Sequence, residues 1–375
     1  MLPTFRLPLT AERFLSEYWQ KKPLLMRQVA SGLAHPDANT LAGLALEDEV
    51  ESRLISGHDQ GPWNLQHGPF QERDFDLMPK ENWTLLVQSV DCFLTEVSLL
   101  LDHFDFLPAW RLEDIMISYA AKGGSVAPHY DRYDVFLLQA QGKRRWKLGG
   151  HCDRHTPLLP NDQLKLLEHM DVVDEQVLAP GDVLYLPPGV AHWGIAEDSD
   201  CITWSVGFRA PSPVDVLARL ADQAAEEADD TLFTDPDRKL PQARERFERD
   251  DQQALTDQAI AALTPGIRRR ALAALLSEPR APAGLDYDID QQRLADNLPD
   301  ALLVRHGATR LIIDDQGDAW LNGDHWPLTA DARPLAALLA RQRHYTDAEL
   351  QDVMTDEGQD LIDEWIDAGY FAYLD

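Results

Sequence analysis

From Glu113 to Phe208 the chain is a succession of short β-prone segments broken by Gly/Pro turns, and this pattern limits the fold more than any other feature. Strands are expected over 114–120, 133–139, 143–148, 172–178, 182–187 and 201–208. Short strands at this spacing build an all-β barrel or sandwich.

Three metal-ligating side chains sit at the ends of these segments. His129-Tyr130-Asp131 runs straight into the β formers from Tyr133 to Gln139. If the extended backbone begins there, alternation puts His129, Asp131, Tyr133 and Val135 on one face. His192 follows the segment Gly181 to Ala191, which closes on the turn Pro187-Pro188-Gly189. An H-x-D triplet alone carries little weight, because both residue types are common in turns. With the β context and the framed third ligand it points to two imidazoles and a carboxylate holding a metal on one face. That is the facial triad of non-haem Fe(II) oxygenases.

Arg144 adds a second constraint. In Lys143-Arg144-Arg145-Trp146-Lys147-Leu148, alternation sends Arg144, Trp146 and Leu148 to one face and the other three cations to solvent. A buried guanidinium is costly unless it meets an anion, and its planar fork matches a carboxylate. A dicarboxylate cosubstrate would supply that partner. The alternative is an arginine that snorkels to the barrel rim.

Taken together, Pro128-His129-Tyr130-Asp131, Asp134 through Gln139, Gly142-Lys143-Arg144-Arg145-Trp146 and Gly181-Asp182 through His192 resemble the JmjC-type 2-oxoglutarate oxygenases of the ribosomal-oxygenase group. Phe14 through Leu25 is similar to that group's opening helix and strand. The resemblance implies an α+β chain: a double-stranded β-helix (cupin/JmjC) barrel, a helical dimerisation block and a C-terminal winged-helix-like module. It implies Fe(II) on His129, Asp131 and His192, with 2-oxoglutarate and O2 as cosubstrates. It implies that Arg144 takes the far carboxylate of 2-oxoglutarate and that Ser118 gives a second polar contact. Eukaryotic relatives often carry lysine at the anchor position and hydroxylate histidine. Arg144 therefore leans towards the bacterial branch that hydroxylates the β-carbon of an arginine in the sixteenth large-subunit ribosomal protein. No residue of the sequence identifies the substrate pocket.

The expected domains are 1–210 for the catalytic barrel with its N-terminal extension, 211–280 for the helical dimerisation region, and 285–375 for the winged-helix-like module. Ser212-Pro213 starts a helix with a capping hydroxyl and a first-turn proline. Val214, Leu217, Leu220, Ala221 and Ala224 follow at helical spacing. Further helices are expected near 250–263 and 267–276, and a linker over 278–284. In the last module, strands near 309–313 and 317–322 precede helices at 332–343, 347–354 and 357–369. Asp48 to Gly68 reads as surface loop.

A net charge of −30 disfavours direct nucleic-acid binding and would steer a basic protein partner towards the chain; generic solubility or a salt-adapted host accounts for the same charge. A winged helix often signals DNA, yet residues 301–375 hold five Arg, no Lys and fifteen Asp or Glu, a surface that repels phosphate. The longest apolar run, Leu85 to Leu101, is interrupted by Asp91 and Glu96, so no membrane span is expected, and the N-terminus lacks the pattern of a signal peptide. Three dispersed cysteines without CxxC spacing fit a reducing cytoplasm. Two other functions stay open. A cupin-type metalloenzyme without 2-oxoglutarate would release no succinate, and a silent JmjC scaffold would take up no iron.

Overall fold

One large antiparallel sheet frames residues 24–208. In space its eight strands run Leu24–Met26, Val183–Leu186, Val135–Gln141, Cys201–Phe208, Leu112–Ala120, Trp83–Val87, Ser52–Ser56 and Asn64–His67. The computed structural model describes residues 1–57, 61–160, 163–229, 231–240, 243–279 and 291–374. A second sheet has three antiparallel strands, with Arg144–His151 between Asp174–Leu178 and Val190–Ala196. Val135, Leu137, Leu184 and Leu186 of the large sheet pack with Trp146, Leu148 and Leu178 of the small one.

Strand alternation sorts the chemistry of the large sheet. Ile115, Ile117, Phe136, Leu138, Tyr185, Trp204, Val206 and Phe208 point to one face and join Phe14 and Phe104 in the main core. Their neighbours Asp114, Met116, Ser118, Thr203, Ser205 and Gly207 point to the other face and line a cavity between the sheets. One face carries the apolar burial that stabilises the sheet, and the other is free to hold polar groups.

Three expectations are corrected. Residues 121–134 form a loop and not the start of a strand. Gly123 and Ala127 both take positive φ there (74° and 65°), which breaks an extended run. Strand alternation therefore does not order His129 and Asp131. His192 does not lie in a turn after a strand but inside the Val190–Ala196 strand, whose onset the Pro-Pro-Gly turn conceals. Asp48–Gly68 is not simply loop. It carries the strands Ser52–Ser56 and Asn64–His67, and the second is a largely exposed edge strand whose composition looks like loop.

The contacts divide the chain into two compact units. One comprises Met1–Ala210, Pro279–Thr309 and Thr329–Asp375; the other comprises Pro211–Glu278 and Arg310–Leu328. A boundary near 285 does not follow this division, because the strands Leu311–Ile313, Ala319–Leu321 and Asp324–Trp326 group with the helices. The physical reason is local: Trp320 packs against Ala273 and Ala274, and Arg269 pairs with Asp314 at 2.8 Å. Helices Pro213–Glu227, Arg249–Ala262 and Pro265–Ser277 match the expected spans, and Ser212 caps the first as anticipated. In the first unit Ala301–Arg305 lies between His344–Thr346 and Phe371–Tyr373, beside the helices Arg333–Arg341, Asp347–Gln351 and Asp356–Asp367. Of the expected linker, residues 280–284 lie outside the described residues. Among the described residues no helix is long and apolar enough to cross a membrane.

Phe136 is fully buried and its ring meets those of Phe5, Phe14, Phe104, Phe106, Tyr185 and Phe208. Phe136→Ala is expected to cost roughly 3–5 kcal/mol of stability, because six rings cannot collapse into the void. Urea unfolding of the metal-free protein measures it; a loss below about 1 kcal/mol would mean that the cluster repacks.

Candidate metal centre

His129 and His192 meet through their backbones. The His129 N–H donates to the His192 carbonyl at 3.0 Å, and the His192 N–H donates back at 2.8 Å. This paired bridge sets the imidazole centroids 4.3 Å apart. Each ring is then turned by its own backbone: Nδ1 of His129 is 2.9 Å from the Ala127 carbonyl, and Nδ1 of His192 is 2.9 Å from the Val190 carbonyl. A carbonyl only accepts, so Nδ1 carries the proton in both rings and Nε2 keeps its lone pair for a metal.

Asp131 completes the group. Its carbonyl accepts from the Gly189 N–H at 2.7 Å, and its Oδ2 lies 3.6 Å from His192 Nε2. One ligand atom from each of the three residues lies within 4.8 Å of the others. Neighbouring donors on a metal at about 2.1 Å stand roughly 3 Å apart, so a small contraction would close the triad on an ion. The donor set N, N, O on one side suits a non-haem Fe(II) site with open positions.

The cavity beyond the triad has a volume of about 380 Å³. Arg144 lines it, 3% exposed, with Nε and Nη2 buried and without hydrogen-bond partners. Among the described residues it forms no ion pair, and Trp146 flanks it with its ring centroid 5.9 Å from the guanidinium carbon. The inward face inferred from alternation is thus present: Arg144, Trp146 and Leu148 are buried, and Arg145 and Lys147 are half-buried. Ser118 is on the cavity wall, its Oγ 3.4 Å from the Thr203 carbonyl.

Asp114 was not singled out in the sequence. It is 3% exposed and lines the same cavity, and its Oδ2 accepts from Gln88 Nε2 at 2.6 Å and from Ser89 Oγ at 2.9 Å. Asp114 and Asp131 are the two carboxylates among the described lining residues. The available signal was the alternation of Asp114, Met116 and Ser118 against Ile115 and Ile117. A second cluster, Asp314, Asp318 and His325, belongs to the helical unit. Asp314 there is already held by Arg269, the Trp320 indole N–H and the backbone N–H groups of Gln316 and Asp318, which makes it a turn anchor.

Comparison with known proteins bears directly on this geometry. A family model described as the JmjC domain matches residues 99–216. A ribosomal oxygenase of Escherichia coli, YcfD, solved in complex with cobalt and 2-oxoglutarate, is 30% identical and superposes with a TM-score of 0.82 over 98% of this chain and 99% of its own. The chain belongs to the JmjC-type ribosomal oxygenases. A probable ribosomal oxygenase of Haemophilus influenzae is 42% identical over 206 residues, 54% of this chain and 50% of that protein. The ribosomal protein uL16 3-hydroxylase of Escherichia coli is 39% identical over 241 residues, 62% of each chain. The aligned stretches thus span 50% and 62% of these two curated relatives.

Burial pushes the His192 imidazole of this ribosomal oxygenase down from 6.5 to about 4, with His129 adding to the effect and Asp131 opposing it. The folded, metal-free chain therefore refuses a proton that the unfolded chain accepts. Its contribution to stability is complete above the ordinary value of 6.5 and is lost as pH falls towards about 4. The ceiling is roughly 3 kcal/mol at about 1.4 kcal/mol per pKa unit. The urea midpoint of the metal-free protein should fall between neutral pH and about pH 4.5, and His192→Gln should flatten that fall. An identical pH dependence in the variant would assign the loss to other groups.

Proposed function

We propose that the chain is an Fe(II)- and 2-oxoglutarate-dependent hydroxylase of the β-carbon of an arginine in a basic large-subunit ribosomal protein. The observation that carries this reading is the buried guanidinium of Arg144, whose Nε and Nη2 have no hydrogen-bond partner among the described residues, in the same cavity as the triad. His129, Asp131 and His192 would hold the metal. When bound there, Fe(II) with 2-oxoglutarate and O2 supplies the oxidising power for C–H hydroxylation, with succinate and CO2 as the other products. The relative solved with cobalt and 2-oxoglutarate and the relative named a uL16 3-hydroxylase support the same chemistry.

The protein's own groups orient and shield. Ala196 pairs with Arg144 and His192 with Leu148, so roughly 13 Å of strand separates the two levels. A short dicarboxylate and an arginine side chain together can span that interval. Arg144 neutralises the far carboxylate of the cosubstrate, and Ser118 offers a hydroxyl beside it. Asp114, on a different strand of the wall, is the acceptor suited to a substrate guanidinium, with Met116 and Tyr133 lining the same space. Val135, Leu137, Leu164 and Leu166 limit water around the reacting carbon. Mass spectrometry of the ribosomal protein after incubation with the enzyme, Fe(II), 2-oxoglutarate and O2 should reveal one added oxygen on an arginine and matching succinate. Metal uptake without succinate would favour a cupin-type enzyme of another kind.

Arg144→Ala removes one partner of what would be a buried ion pair, at a cost of roughly 3–5 kcal/mol. The affinity for 2-oxoglutarate, titrated anaerobically, should fall on the order of a hundredfold or more. Metal affinity should hold, and Arg144→Lys should recover part of the loss. An unchanged dissociation constant in Arg144→Ala would remove this residue from the cosubstrate site.

The same reading includes a homodimer through the helical unit, no direct binding to DNA, and a cytoplasmic location. Helices Pro213–Glu227 and Arg249–Ala262 have no fully buried residue, while Val214, Leu217, Leu255 and Ile260 are exposed. A second copy covering them would account for that apolar surface. Light scattering should give twice the chain mass, and Leu217→Glu should halve it. A wild-type monomer at high concentration would reject the dimer.

A further inference from the structure

Asp134 is fully buried three residues beyond Asp131, where the ligand-bearing loop enters the Val135–Gln141 strand. Three donors from distant parts of the chain share its carboxylate. Tyr185 Oη donates to Oδ1 at 2.6 Å, and Gln20 Nε2 and Arg111 Nη2 donate to Oδ2 at 2.9 and 3.1 Å. The Tyr185 hydroxyl in turn accepts from the Gln20 backbone N–H at 2.7 Å. The Asp134 carbonyl accepts from the Phe208 N–H at 3.1 Å. Trp19 braces the assembly, stacked on the Tyr185 ring at 5.8 Å and facing the Arg111 guanidinium at 5.2 Å.

None of these groups is among the described residues of the cavity wall, so the proposed chemistry does not use them. Their effect is mechanical. Upstream, the ligand loop is held by the His129–His192 bridge and by the Gly189 N–H on the Asp131 carbonyl. Downstream it is held by Asp134. A carboxylate stripped of water depends on donors at fixed positions, so the loop cannot shift without leaving Asp134 unsatisfied. Asp131 lies between the two clamps.

We propose that Asp134 is a positioning residue for the metal centre, and that Gln20, Arg111 and Tyr185 act through it to fix the Asp131 carboxylate. The residues after the first helix, Ala11–Glu17, thereby become part of the metal site's support. The inference rests on the metal assignment made above.

The test uses Co(II) as probe, added to the full chain without cosubstrate, with ligand-field absorption reporting both affinity and geometry. Gln20→Gly deletes the amide while keeping the backbone N–H and suiting the φ of 56° at this position. Tyr185→Phe deletes one hydroxyl and keeps the ring stack. Each should weaken Co(II) binding about tenfold, as expected for supporting contacts of metal ligands, and should alter the absorption band. Asp134→Asn should weaken it further; if that variant does not fold, the two milder ones decide. A purely structural role would lower the urea midpoint but leave the Co(II) affinity and spectrum of the folded protein unchanged, and that result overturns the proposal. A wild-type chain that bound no Co(II) would overturn the metal assignment itself, and this inference with it.

Discussion

The site depends on one pair of backbone hydrogen bonds, those exchanged by His129 and His192. They make a loop residue and a strand residue immediate neighbours without using either side chain. The imidazoles are then oriented by carbonyls two positions upstream in each case. The orientation of the two imidazoles is thus set by the main chain. On its other side, the strand that carries His192 pairs with Arg144–His151, with a register irregularity between Val190 and His192. A slip of one residue would turn His192 away from the cavity.

The large sheet makes a polar interior tolerable. Its far face buries Phe136, Trp204, Val206 and Phe208 in a continuous aromatic and aliphatic core. That burial stabilises the strands, so the near face can present Asp114, Ser118, Thr203 and Ser205 with little apolar packing of their own. Arg144 comes from the opposing sheet. The Arg144 guanidinium and the Asp114 carboxylate therefore approach the cavity from different walls, and Arg53 lines it on the same sheet as Asp114.

Legibility in the sequence followed regularity of the backbone. Arg144 could be turned inward from the pattern alone because 144–148 is an unbroken strand in which alternation holds. Residue type and setting point to the three ligands, but alternation does not give their arrangement, because positive φ at Ala127 breaks the extended run. The strand around His192 was hidden by a turn whose prolines suggest an ending and not a beginning. Asp114 was masked by mixed company, since Asp, Met and Ser at alternate positions do not form an obvious stripe. The Asp134 cluster could not be read at all, because Gln20, Arg111 and Tyr185 become neighbours only through tertiary structure. The grouping of 310–328 with the helices was equally invisible, resting on Trp320 finding Ala273 and Ala274.

The interleaving of the two units has a consequence for how the chain is made. The backbone passes between them four times, after residues 210, 278, 309 and 328. Neither unit is therefore a continuous stretch that could finish while its successor is still being synthesised. The strand Phe371–Tyr373 pairs with Leu303–Arg305, so these hydrogen bonds of the barrel's own unit wait until residue 373 has been synthesised. During vectorial synthesis the helices of 213–277 emerge well before that closure. The interval leaves Leu303–Arg305 without one of its two strand partners, and its length is dictated by topology and by the pace of elongation.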